Sequence, residues 1–322
     1  MIALDRADTS RVVRAFAPGS TGNIGPGLDI LGCALTGPGD AVEARLLART
    51  DMGRVMVEDP GHPDLSSDPL RHASAIAASE ILRRAHADRT GVALRVTKGL
   101  PLAGGQGGSA ASAVAGALAT NALLGNPLDR REVLACALVA EERLAGRHID
   151  NLAPALFGGI VLIRSIDPLN IVHVPVPTNL RVVIAHPQMQ LRTTDARAVL
   201  PSSVDRATAI AQAASVAAII AALYSGDLSL LRGAIDDQIA EPARAPLLPG
   251  FLAAKTAALS AGALGSSISG GGPSSFALAD GDDSALEVMN AMVAAYATSG
   301  ITATGRVARI DERGARTEEA HS

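Results

Sequence analysis

Leu100-Pro101-Leu102-Ala103-Gly104-Gly105-Gln106-Gly107-Gly108-Ser109-Ala110-Ala111-Ser112 runs from an apolar segment through four glycines into an alanine-rich stretch. Upstream, Gly91 to Val96 alternates apolar and polar side chains as a half-buried strand does. Downstream, Ala110 to Leu124 favours helix, and Gly125-Asn126-Pro127 stops it. The stretch therefore reads as strand, loop and helix start. Glycines at 104, 105, 107 and 108 let the backbone turn left-handed and bring N–H groups close to an anion. The helix beginning near Ser109 adds unpaired N–H groups and the positive end of its dipole. Such a turn holds a polyphosphate. It is neither G-x-x-x-x-G-K-[ST] nor G-x-G-x-x-G, so a P-loop ATPase and a dinucleotide fold are poorly supported.

With 322 residues the chain can bury two ordinary cores. A net charge of -4, with no basic block, argues against a nucleic-acid partner, and aromatics at 2% leave little for base stacking. Cys33 and Cys136 are the only cysteines, which suits buried thiols in a reducing compartment. Met1 to Arg11 carries charges and no signal-peptide core. Ala207 to Leu223, interrupted by Gln212 and Ser215, falls short of a membrane span. The expectation is a cytoplasmic protein with no membrane contact.

Taken in order, Arg11 to Phe16 reads as a strand. Ala17-Pro18-Gly19-Ser20-Thr21-Gly22-Asn23-Ile24-Gly25-Pro26-Gly27-Leu28-Asp29 follows as a fixed irregular loop, and its Asn23 and Asp29 could receive an ammonium group. Strands are expected at Asp40 to Leu47 and Arg54 to Val57, and an amphipathic helix at Arg71 to His86. Asp129 to Leu144 reads as a helix, with Asp129 and Glu132 at capping-box spacing. It delivers Glu141 and Glu142 towards His148-Ile149-Asp150-Asn151, a dense polar cluster just before the apolar strand Gly159 to Ile163. A phosphate loop needs a Mg²⁺ ligand set, and a carboxylate with a hydroxyl suits that hard ion; Glu141 with Ser109 is the pair of choice.

The Pro-rich run from Pro168 to Pro177 marks a domain boundary near Asp167-Pro168. Beyond it, Leu180 to Ala185 reads as a strand leading to Thr193-Thr194-Asp195-Ala196-Arg197. Helices are expected at Ser202 to Tyr224, with Ser202 and Asp205 at capping-box spacing, and at Asp227 to Ile239. Glu241 to Gly250 is a stiff loop presenting Arg244. Arg197 and Arg244 could each grip a carboxylate bidentately. A second glycine-rich turn, Leu264 to Ser275, enters an apolar strand. A helix from Ser284 to Ser299 and a strand from Thr302 to Ile310 close the chain, and Glu318 to Ser322 should fray.

Three glycine-rich segments in this order, Ala17 to Asp29, Pro101 to Ser112 and Ile268 to Phe276, resemble the GHMP small-molecule kinases, named for galactokinase, homoserine kinase, mevalonate kinase and phosphomevalonate kinase. The resemblance is strongest to the members that act on homoserine. It rests there on His148-Ile149-Asp150-Asn151-Leu152-Ala153-Pro154, on Thr193 to Arg197 ahead of Leu200-Pro201, and on Glu241-Pro242-Ala243-Arg244 ahead of Leu248-Pro249-Gly250. It covers Ala17 to about Ile310.

The resemblance implies an α+β, two-domain GHMP kinase fold: residues 1–167 an ATP-binding half like ribosomal protein S5 domain 2, residues 168–312 a ferredoxin-like half, and residues 313–322 a polar tail. The implied reaction is phosphoryl transfer from MgATP to the hydroxyl of L-homoserine. In it Lys98, Pro101, Gly104, Gly105, Gln106, Gly107, Gly108, Ser109, Ala110 and Ala111 would hold the nucleotide, and Ser109 with Glu141 the Mg²⁺. Asn23, Asp29, His148, Arg197 and Arg244 would bind the amino acid. Thr193, Asn151 and Asp150 would orient the reacting groups. Lys98 reads equally as an edge-strand charge, and Glu142 as the metal ligand, because the segment from Glu141 to Asp150 is one residue short. A homodimer is also implied.

The chain departs from the family where Gly-Leu-Gly-Ser-Ser becomes Gly105-Gln106-Gly107-Gly108-Ser109. Gly22 stands for the usual Ala, Leu28 for Phe, and His72 for an Asn in the adenine region. Two alternatives remain: a GHMP kinase for a different small alcohol, and a ligand-binding protein of this fold without turnover.

Overall fold

A computed structural model describes residues 11–48 and 51–318. The charged N-terminus up to Ser10 and the last four residues lie outside it. The first half is built on a long hairpin, β1 (Val12–Gly22) with β2 (Leu31–Leu46), which carries a bulge between Pro18 and Ser20. That bulge and left-handed backbone at Asn23, Ile24 and Asp29 confine the irregularity expected over Ala17 to Asp29; the strand itself continues to Gly22. β2 is long enough to serve two partners. Its C-terminal part pairs β4 (Val92–Thr97), which is followed outward by β3 (Val55–Asp59), and its start pairs β5 (Ile160–Ile166).

Four helices cover this sheet: α1 (Ala73–Arg84), α2 (Gly108–Leu123), α3 (Arg130–Leu144) and α4 (Leu152–Phe157). Most of α2 is buried, so its alanines let it lie between sheet and helices. Asp129 and Glu132 form the expected capping box of α3, a device worth about 1 kcal/mol.

The second half is a four-stranded antiparallel sheet in the order β10 (Ala303–Ala308), β7 (Leu180–Pro187), β9 (Ser275–Asp280), β8 (Gly265–Ile268). With α6 (Arg206–Ser225) between β7 and β8, and α9 (Asp282–Thr298) between β9 and β10, the order is that of a ferredoxin-like unit. Strand alternation splits its side chains between two cores. Val182, Ile184, Phe276 and Leu278 meet Leu31, Leu35 and Ile160 of the first sheet, while Val183, Ala185, Ala277 and Ala279 meet α9 and α8 (Phe251–Ser260). One core therefore joins the halves.

Several expectations are corrected. Asp167-Pro168 is no boundary but the turn of a hairpin, since β6 (Leu169–Val174) pairs β5 in the first sheet. The chain passes to the second sheet only after Val174. Nor is the end a tail: β11 (Arg316–Glu318) returns to pair Arg14–Phe16 of β1. Asp205, not Ser202, caps α6 by accepting from Thr208 N at 2.9 Å. The helix expected over Asp227 to Ile239 is only a 3-10 turn, Leu228–Leu231. There Gly233 is left-handed, and the Asp237 carboxylate takes the N–H groups of Ile239, Ala240 and Glu241. It starts α7 (Ala240–Arg244) inside the stretch read as a loop. Finally, α6 is by length and composition long and apolar enough to cross a membrane. Gln212 does not interrupt it, because its amide is buried against Pro26 O and Asp237.

Candidate active site

A cavity of about 470 Å³ opens between the halves, lined by the glycine loop, the His148 to Asn151 cluster, Asp29, Arg244 and α5 (Thr193–Ala198). At one end the loop turns through Gly105 (φ 72°) and Gly107 (φ 70°) into the first turn of α2, whose N–H groups no side chain caps. A Cβ at Gly105 would lie 2.6 Å from Ser269 O and 2.7 Å from Gly272 O, so only glycine fits there. Ser269 Oγ donates to Gly105 O at 2.7 Å and Ser274 Oγ to Gly104 O at 2.6 Å. The glycine turn of the second half thus straps down the loop of the first.

Pro101, Gly104, Gly105, Gly107, Gly108, Ser109 and Ala110 line the cavity, but Gln106 and Ala111 do not. Gln106 turns away to donate to Ser274 Oγ and accept from Arg306, each at 3.2 Å, and Ala111 is wholly buried. Lys98 lines the cavity as well, and its ammonium is engaged within the chain. Its ammonium pairs with the fully buried Asp40 and donates to Gly108 O at 3.2 Å and Ser112 Oγ at 3.0 Å, which occupies all three of its donors. Asp40 also accepts from Gly99 N and Leu100 N. No motif marked this carboxylate, which the sequence shows only as the start of a strand. His72 lines the same end, held through Nε2 near Pro60 O, and burial lowers its pKa.

Midway stands Glu141, 5% exposed, with Oε2 buried and without a hydrogen-bond partner. Burial raises its pKa, opposed by the His148 charge and by the nearby Ser109 hydroxyl. Glu142 points outward to Arg147 at 3.2 Å. An orphaned carboxylate oxygen beside a serine hydroxyl is a hard-oxygen donor set that fits Mg²⁺. His148 Nε2 lies 3.7 Å from Glu141 Oε1, and its Nδ1 3.2 Å from Asp150 Oδ1. Burial pulls the imidazole down; the hydrogen bond and charge of Asp150 and the charge of Glu141 outweigh it, so His148 titrates above its ordinary value. Asn151 donates to Asp150 at 3.3 Å and accepts from Ser20 Oγ at 3.0 Å. A Cβ at Gly22 would fall 2.1 Å from Asp150 Oδ2. Glycine at that position is thus what admits the Asp150 carboxylate.

At the far end Asp29 and Arg197 form a bidentate pair that is partly exposed to the cavity. Asn23 lines the cavity too, with its amide donating to Gly270 O at 2.9 Å and accepting from Asp29 N at 3.0 Å. Asp29, His148 and Asp150 bring ligand atoms within 4.8 Å of one another, but Arg197 already neutralises Asp29. Arg244 is 3% exposed, donates to Ala196 O at 3.0 Å and Gly270 O at 3.1 Å, and has no carboxylate partner among the described residues. Burial and the nearby Arg197 charge lower its pKa. Thr193 stands exposed on the rim.

The model for the GHMP kinases N terminal domain matches residues 73–159 and that for the GHMP kinases C terminal matches 219–298. The chain belongs to the GHMP kinases. It is 41% identical over 296 residues to a homoserine kinase of Chlorobium phaeovibrioides, covering 89% of this chain and 92% of that one. To a homoserine kinase of Arabidopsis thaliana it is 37% identical over 322 residues, covering 98% and 87%. The crystal structure of homoserine kinase from Cytophaga hutchinsonii superimposes with a TM-score of 0.90 at 38% identity, over 95% of this chain and 97% of the other. As a GHMP kinase the chain is an ATP-dependent phosphotransferase acting on a hydroxyl group.

Proposed function

We propose that this GHMP kinase transfers the γ-phosphoryl group of ATP to the side-chain hydroxyl of L-homoserine, giving O-phospho-L-homoserine for threonine synthesis in the cytoplasm. The observation that carries the substrate is Arg244. A buried guanidinium without a carboxylate partner costs free energy unless an anion meets it, and beside it lie a second arginine and a carboxylate. Two cations and an anion clustered at one cavity end complement an amino-acid zwitterion. The substrate carboxylate would take Arg244 and Arg197, its ammonium Asp29. Each charge-assisted contact contributes about 1.5 to 3 kcal/mol.

The hydroxyl would then lie towards Asn151 and Asp150, which His148 and Ser20 hold in place, with Thr193 closing the rim. The nucleotide phosphates would rest on the N–H groups of the glycine loop and α2. Ser109 and Glu141 would hold Mg²⁺, which when bound neutralises phosphate charge. Transfer breaks the bond from the γ-phosphorus to the ADP oxygen, forms one to the homoserine oxygen, and releases the hydroxyl proton to solvent as ADP leaves. In a loose transition state, positioning and charge stabilisation by these residues carry the rate.

Coupled ADP release with MgATP and L-homoserine, L-threonine, L-serine or mevalonate tests the proposal. Turnover with homoserine at about 1 to 100 per second is expected; preference for mevalonate, or silence with all four, would overturn it.

A further inference from the structure

Four residues of α6 are buried, and Gln212 is the polar one among them. A buried amide costs free energy unless its donors and its acceptor are met, and here all are. Nε2 donates to Pro26 O at 2.7 Å and to Asp237 Oδ1 at 3.0 Å, and Oε1 accepts from Gln238 N at 3.0 Å. The reverse orientation would set the amide N–H groups against the N–H of Gln238, so only one assignment fits. Asp237 in turn accepts from the N–H groups of Ile239, Ala240 and Glu241 and so starts α7. One side chain thus ties the loop that carries Asp29 to the turn that begins the helix carrying Arg244.

Asp29 and Arg244 are joined a second time, on the cavity side. Gly270 O accepts from Asn23 Nδ2 at 2.9 Å and from Arg244 at 3.1 Å, while Asn23 Oδ1 accepts from Asp29 N at 3.0 Å. Asn23 and Gly270 line the cavity; Gln212, Pro26 and Asp237 do not. The Gln212 bridge therefore lies behind the site, where it touches no ligand held there. The same loop also rests on the segment before Asp237, since a Cβ at Gly25 would lie 2.9 Å from Ile235 Cγ2.

We propose that Gln212 is a positioning residue that sets the separation of Asp29 and Arg244, and thereby selects alcohols bearing an ammonium and a carboxylate on one carbon. The inference rests on the functional reading above. An α-amino acid presents its two charges at one fixed spacing, so both contacts form together only where the protein groups are held at the matching distance. A ligand with one of the two charges can follow whichever group it meets. Loss of Gln212 should therefore penalise the doubly charged substrate alone.

Initial rates with MgATP and either L-homoserine or 3-aminopropan-1-ol, which keeps the ammonium and the hydroxyl, read the outcome below the melting temperature of every variant. Gln212→Met, of similar length but without the amide, is expected to raise the homoserine KM about 10-fold. The KM values for ATP and for the aminopropanol should change less than threefold. Gln212→Asn keeps an amide one methylene too short to span its partners, and should give the same pattern. Leu223→Ala removes packing about 16 Å farther along α6, and should lower the melting temperature while leaving all three KM values within twofold. An unchanged homoserine KM in both Gln212 variants, an equal rise for the two alcohols, or the same rise in Leu223→Ala would overturn the inference while homoserine stays the wild-type substrate. Silence of the wild type with homoserine would overturn the functional reading, and the inference with it.

Discussion

At the phosphate end of the cavity, the groups that meet a ligand are backbone N–H groups held in place by glycines from one short loop. At the amino-acid end they are charged side chains from separate segments: Asp29 after β1, Arg197 on α5 and Arg244 on α7. Under the proposed function the first end would take any polyphosphate of the right shape, because its donors are common to all residues. The second would bind by the number and sign of its charges, and so select which alcohol is phosphorylated. Glu141 stands between the two, where the proposed function would bring nucleotide and acceptor together.

Replacing Glu141 should have the largest effect, because it touches both ends. Glu141→Gln is expected to reduce Mg²⁺-dependent turnover by about 1,000-fold, the scale for removing a group that stabilises transferring charge. The pH profile of the wild type sharpens this. Glu141 must be ionised to hold a cation and its pKa lies above the ordinary 4.5, so kcat/KM should rise with pH through that raised value, and the acid limb should vanish in the variant. Near-normal turnover would remove Glu141 from the metal site.

Gly105→Ala should come next. A left-handed φ and two carbonyl oxygens within 2.7 Å of the new Cβ add strain of about 1–3 kcal/mol, so kcat/KM for ATP should fall about 100-fold while the KM for homoserine holds. Arg244→Ala should do the reverse: the loss of one charge-assisted contact, about 1.5–3 kcal/mol, raises the homoserine KM roughly 30-fold and spares that of ATP. Equal effects on both KM values in either variant would break the division between the ends.

Gln106→Leu should matter least. It restores the usual family residue but removes one acceptor of the partly buried Arg306, and is expected to lower the melting temperature by about 2–4 °C with activity changed less than threefold.

How much the sequence revealed follows the same division. Gly104 to Ser109 could be recognised because a phosphate turn is local, and the strand and helix around it appear where alternation and alanines place them. Arg197 and Arg244 read from the sequence as carboxylate grips, yet no spacing shows that they converge, because only tertiary packing brings α5 and α7 together. Gln106 looked like part of the nucleotide site since it sits among glycines, but its partners, Ser274 and Arg306, come from the distant second half. Asp40 was missed for a related reason: it is a carboxylate in an ordinary strand position until Lys98 and Ser112 pack on it. The boundary at Asp167-Pro168 failed because prolines serve a hairpin turn as readily as a linker.

The account rests most heavily on Arg244 meeting a substrate carboxylate. The direct measurement is kcat/KM for L-homoserine and for 3-aminopropan-1-ol, which lacks only the carboxylate, in both wild type and Arg244→Ala. If the two groups meet, loss of the carboxylate should cost the wild type about 100-fold and the variant only a few-fold. An equal loss in both enzymes would contradict the account and place the carboxylate elsewhere.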